Sequence, residues 1–329
     1  MKRIQWIDFG KGFTIFFVLA VHCIDELYAT NLFTQYDYIS KILMAIIYTF
    51  IMPCFFALSG FLYRRPESFS QYAKNIKKKA IGFLIPYIIF SIVYVVLQHM
   101  TTVNKLNEWS SLLYIYKQPI SYLWFLYALF FIFVFLGLIE LLKVSNIWKI
   151  IIYAILFLVS QIIHLPLFIE LSFAWIPCFY TGMIFKRYPK LLSKKLTFYS
   201  SLLITFTGII TRYYMGGNNW FRNNNMILTT AIFKISSIVL FFYIFSFITS
   251  HNKGDYFIKY GKYSMIIYMV HLPITSMFKV VLIRLHIPNY FLFLIIVIAL
   301  SWFLSIFICY LSKKFKFIDF VFYPNKYIK

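Results

Sequence analysis

The sequence predicts an all-α integral membrane protein, a polytopic bundle of about ten transmembrane helices with both termini cytoplasmic. Three observations predict it. The 329 residues are 62% hydrophobic and only 13% charged, whereas soluble domains carry about 25% charged residues. Apolar runs of membrane-spanning length recur along the whole chain, each needing roughly 20 residues to cross a hydrocarbon core about 30 Å thick. The net charge of +22, from 32 Lys and Arg against 10 Asp and Glu, is dispersed in short clusters between those runs. Such dispersal is the pattern of charge that orients spans. No basic hydrophilic domain exists to bind nucleic acid, so that class is excluded.

The spans are expected near 11–29, 41–63, 80–99, 121–142, 150–166, 169–185, 196–214, 227–249, 264–284 and 291–311. Lys2 and Arg3 ahead of the first run mimic a signal peptide. No small-residue cleavage site follows, so an uncleaved first helix is expected. The fifth and sixth runs are short, and Pro166 marks a tight turn or a re-entrant feature between them. An even number of spans puts the termini on one side. With both inside, only Lys41, Lys105, Lys117, Arg212, Arg222, Lys234, Lys279 and Arg284 fall elsewhere among the basic residues. That asymmetry sets the orientation. Residues 1–329 read as a single membrane domain, with no linker and no internal repeat.

The first span carries the most informative pattern. Lys11 and His22 are separated by an otherwise apolar stretch. At about 1.5 Å per residue they lie roughly 16 Å apart along the axis and on nearly the same side of the helix. Asp8, Lys11, Thr14, His22, Asp25 and Glu26 form one polar stripe. An ionisable group at such depth is costly, so a functional role is the default expectation for His22. His22 and Glu26, four apart, could also pair on a metal. The further imidazoles at the outer face, His99, His164 and His286, have no telling spacing, and no metal is expected. Cys23, Cys54, Cys178 and Cys309 lie in or beside apolar segments without paired spacing and read as small apolar fillers.

Five motifs, in order along the chain, resemble one family. The opening Arg3-Ile4-Gln5-Trp6-Ile7-Asp8-Phe9-Gly10-Lys11-Gly12, followed by His22, is similar to a first-helix pattern of a basic residue, ten others and a histidine. Phe55-Phe56-Ala57-Leu58-Ser59-Gly60-Phe61-Leu62 ends in Arg64 and Arg65. Lys77-Lys78-Lys79 leads into Pro86-Tyr87, and Leu123-Trp124-Phe125-Leu126 opens the fourth span. Gly261, Ser264, Tyr268 and His271 close the series. Together these resemble the acyltransferase-3 family of membrane-bound O-acyltransferases, particularly its short, stand-alone, fucose 4-O-acetylase-like members. The family often carries Arg where Lys11 stands, and a lysine offers a point charge rather than a planar bidentate fork.

The resemblance implies transfer of an acyl group, usually acetyl from cytoplasmic acetyl-CoA, to a hydroxyl of a surface polysaccharide or lipid-linked sugar. His22 is then the candidate general base, near its working range at an unperturbed pKa of about 6.5. Asp25 or Glu26 would support its charged form or fix its tautomer. Lys11, Arg64, Arg65, Lys77 and Lys78 are the candidate cations for acyl-CoA. Topology and lipid headgroups account for some of them equally well. Trp124, Ser59, Tyr268 and His271 are the candidate substrate contacts. Gly12 and Gly60 serve either close helix packing or ligand approach. The acyl group is acetyl or succinyl, and transfer is direct or through an acyl-enzyme. A separate extracytoplasmic partner is expected if transfer needs a second step, and the expected location is a bacterial cytoplasmic membrane. The alternative is a transporter or flippase of glycan intermediates, but the paired, broken-helix repeats of transporters are missing.

Overall fold

The computed structural model describes residues 4–100, 106–222 and 225–328, and among them every regular element is helical. Lys2, Arg3 and Lys105, which entered the charge count, lie outside the described residues. The helices are α1 (Gln5–Tyr28), α2 (Asp37–Leu62), α3 (Phe69–Met100), α4 (Trp124–Leu141), α5 (Asn146–Ile162), α6 (Leu167–Arg187), α7 (Lys195–Met215), α8 (Leu228–Ser250), α9 (Asp255–Gly261), α10 (Ser264–Arg284), α11 (Tyr290–Lys314) and α12 (Lys316–Phe322). Each of the ten expected runs is a helix. Eight are long and apolar enough to cross a membrane. Of the other two, α5 has 17 residues, and α7 alternates apolar residues with Ser and Thr. Pro53, Pro86, Pro177 and Pro273 all sit inside helices, a placement that membrane-spanning helices tolerate.

The helix bounds depart from the expected spans in places. The helix of the third run starts at Phe69 rather than near 80, so Lys74 and Lys77–Lys79 are helical. Lys149, just ahead of the expected span 150–166, is buried within α5. The short helices α9 and α12 were not foreseen. Pro166 lies in the short connection between α5 and α6, and its carbonyl accepts the first amide bonds of α6.

The chain divides into two compact units. The first comprises 1–62 and 178–309 and is organised around α1, which packs against α2, α8, α9 and α10. Lipid is as apolar as a leucine side chain, so close fit rather than water exclusion holds such helices together. Two glycine contacts give that fit. A Cβ on Gly12 would run into the carbonyl of Phe257, and one on Gly261 into the carbonyl of Asp8, so α1 and α9 meet backbone to backbone. Gly60 of α2 and Gly182 of α6 do the same against Phe179 and Ala57. Gly12 and Gly60 therefore serve close packing. An aromatic cluster fills the space between α1, α2 and α8. In it Phe50 and Phe241 stack at 3.9 Å, and Phe17 meets Phe50 edge-on at 5.6 Å.

The second unit comprises 63–177 and 310–329. Here α3 pairs with α4 and carries α12 on its flank, with the Phe90 and Phe322 rings 5.4 Å apart. Its centre is ionic. Glu140 of α4 accepts from Lys149 Nζ at 2.6 Å and from the Tyr153 hydroxyl at 3.1 Å. Arg65 donates to the Glu140 backbone carbonyl through Nε and Nη2, at 2.9 and 2.7 Å, and its Nε lies 3.2 Å from the carboxylate. The Glu140 and Lys149 side chains are each 3% exposed.

Candidate functional site

The polar stripe expected on α1 lies along an unbroken helix of 24 residues. Asp8 and Thr14 are buried on it, and Lys11 and His22 are half-buried. His22 faces His271 of α10, with ring centroids 5.1 Å apart and planes tilted by 45°. The two candidates from opposite ends of the chain thus form one pair. His271 is fully buried, and its Nδ1 lies 2.6 Å from the Tyr268 carbonyl oxygen. A carbonyl only accepts, so Nδ1 carries the proton, and in the neutral ring Nε2 becomes an acceptor. The Tyr268 ring is 5.8 Å from the His271 ring and is itself buried. One turn further along α10, the Thr275 hydroxyl donates to the His271 carbonyl at 2.8 Å.

Asp25 and Glu26, expected beside His22, also make contacts of their own. Among the described residues no hydrogen bond joins either acid to His22. Asp25 accepts Arg222 Nε at 3.1 Å and Nη2 at 2.7 Å on one oxygen, and the Tyr48 hydroxyl at 3.1 Å on the other. Glu26 forms an ion pair with Lys279 of α10. These contacts tie the end of α1 just beyond His22 to α2, to the segment before α8 and to α10. The acids thereby fix the end of the helix that carries the histidine. Burial works against the charge of Arg222, but the hydrogen bond and charge of Asp25 outweigh it and raise its pKa above the ordinary arginine value. In the sequence Arg222 and Lys279 are only two of the basic residues outside the expected cytoplasmic segments, and nothing distinguishes Tyr48. Their partners lie 197, 253 and 23 positions away, beyond the reach of any spacing rule.

The remaining candidates divide between the units. Ser59, in the first, donates its hydroxyl to the Phe55 carbonyl within α2 at 2.9 Å, a bond internal to its helix. Trp124, in the second, lies 5.7 Å from the ring of Trp175. Of the candidate cations Lys11 belongs to the first unit, and Arg64, Arg65, Lys77 and Lys78 to the second. Arg64, Lys77 and Lys78 are exposed, whereas Arg65 is held on Glu140. An anionic cosubstrate needs accessible cations, and these three fit that need better than Arg65. All four cysteines are buried and free, and no cluster of His, Cys, Asp and Glu that could hold a metal occurs among the described residues.

The family model Acyl_transf_3, an acyltransferase domain, matches residues 4–310. No curated protein and no solved structure matches the chain.

Proposed function

The chain belongs to the acyltransferase-3 family and is a multi-pass membrane acyltransferase, and from that premise we propose that it O-acetylates a saccharide, with His22 as general base. The acyl donor is acetyl-CoA from the cytoplasm, and the acceptor is a hydroxyl of a surface polysaccharide or of a lipid-linked sugar, in a bacterial cytoplasmic membrane. The observation that carries this reading is the His22–His271 pair, set within membrane-spanning helices and clamped at its rim by the Asp25–Arg222 and Glu26–Lys279 contacts.

In the reaction, His22 removes the proton from the acceptor hydroxyl as its oxygen attacks the thioester carbonyl. The carbon–sulfur bond breaks, and the proton passes from His22 to the departing thiolate. Base catalysis of this kind is worth about 10²- to 10⁴-fold. Lys11, on the same face of α1 as His22, offers a cation for the donor's phosphates. His271 presents its Nε2 as an acceptor beside the working ring. An extracytoplasmic partner completes the modification if the acetyl group must travel beyond the membrane.

The test is the O-acyl content of surface glycan, read by NMR before and after mild alkali. Cells lack the gene or carry wild-type or His22→Gln protein at matched levels in the membrane. Alkali-labile acetyl restored only by the wild type is the expected result. Wild-type turnover by the His22→Gln protein would show that another group is the base.

A further inference from the structure

Residues 316–328 lie beyond the stretch that the family model matches, and they fold back against α3 within the second unit. One residue after α11 ends at Lys314, α12 begins. The Phe322 ring at its far end lies 5.4 Å from the ring of Phe90, and both side chains are buried. Phe90 falls in the middle of the third expected span, 80–99. Counted from residue 80, α12 therefore reaches roughly 15 Å along α3, about half the thickness of the hydrocarbon core.

The chain then turns back. In the helical turn Pro324–Lys326, Asn325 Nδ2 donates to the Lys78 carbonyl at 3.4 Å. Gly82 makes room for that side chain, since a Cβ there would lie 2.4 Å from Asn325 Nδ2. Phe90 to Gly82 is about 12 Å of helix, so residues 316–328 run up α3 and return as a short hairpin.

Its surroundings follow from two observations. Asn325, Lys326, Tyr327 and Ile328 are exposed on its irregular limb. Irregular backbone at membrane depth is tolerated only inside protein or beside water, because lipid cannot satisfy its polar groups. The charge on this side is positive. Asp319 is already neutralised, accepting Lys326 Nζ on both oxygens at 2.8 Å and the Tyr327 hydroxyl on one of them at 2.8 Å. The turns of α3 beside Asn325 carry exposed Lys74, Lys77 and Lys78.

We infer that residues 316–328 re-enter the membrane and, with the Lys74–Lys78 turns of α3, wall a water-filled entry for soluble anions, open to the side on which both termini are expected. The inference rests on the membrane-spanning fold and stands whatever the reaction.

The experiment places single cysteines in the full-length chain and labels them in inside-out and right-side-out membrane vesicles. The probes are an anionic and a cationic methanethiosulfonate, both impermeant. All four native cysteines are buried, so the wild type supplies the background, and variants are scored on protein whose native cysteines stay protected. Asn325→Cys should label in inside-out vesicles alone. The anionic probe should be favoured about tenfold over the cationic one, after correction for their rates with a free thiol. Phe322→Cys should resist both probes. Adding Gly82→Leu should expose that thiol, because the new side chain displaces Asn325. Replacing Lys77 and Lys78 together by Gln should remove the preference for the anion and keep the labelling. No labelling of Asn325→Cys would place the limb in lipid and overturn the inference. Equal labelling of Phe322→Cys would overturn it by placing the whole segment in open water, as would equal rates for the two probes by removing the selection for anions.

Discussion

The ionic centre of the second unit allows the most quantitative prediction. Glu140 and Lys149 are each 3% exposed, so removing either leaves the other charged in a medium of low polarity. Breaking a buried pair from one side costs about 3–5 kcal/mol. The structure orders the two single variants within that range. In Lys149→Met, Glu140 keeps the Tyr153 hydroxyl and a contact with Arg65, whose side chain is 45% exposed and screened by solvent. Its expected cost is therefore near the lower limit, about 3 kcal/mol. In Glu140→Leu, Lys149 loses its carboxylate and Arg65 keeps only the backbone carbonyl, so the cost approaches about 5 kcal/mol. The double variant buries no charge from the pair and should return to within about 1 kcal/mol of wild type, because apolar replacement of a buried pair is often neutral. The assay is thermal unfolding in nanodiscs, where about 3 kcal/mol corresponds to a fall of roughly 6–12 °C on the scale of a 150–250-residue domain. A double variant as unstable as Glu140→Leu would refute the reasoning, since the loss would then come from packing or from Arg65. Acyl transfer per mole of folded protein should not change in Lys149→Met, which separates a structural role from one in holding acyl-CoA.

The other predictions concern the first unit. Lys11→Ala should raise KM for acyl-CoA about tenfold with little change in kcat, the loss of roughly 1.4 kcal/mol of ground-state binding, while Lys11→Arg stays close to wild type. A rise confined to the acceptor's KM would remove Lys11 from the donor site. Gly12→Ala should destabilise the α1–α9 crossing by about 1–3 kcal/mol, because the new methyl meets backbone that cannot swing aside; an unchanged melting temperature in nanodiscs would contradict that contact. His271→Gln keeps a hydrogen-bonding side chain of similar reach and should lower kcat about tenfold or more with KM nearly unchanged, as expected if His271 positions His22. A shift in KM alone would instead make it an acceptor contact.

The spans were legible because membrane thickness fixes the length of an apolar run. The run expected at 264–284 coincides with α10, and the one at 196–214 differs from α7 by a residue at each end. The early start of α3 was hidden because Gln71, Tyr72, Ala73 and Lys74 form helix well but are too polar to register as a span. At seven residues each, α9 and α12 are too short for a periodic signal to emerge. His22 was visible because an imidazole inside an apolar run is conspicuous by itself. Its pairing with His271 was not, because nothing local in either helix encodes which of two distant polar positions will meet.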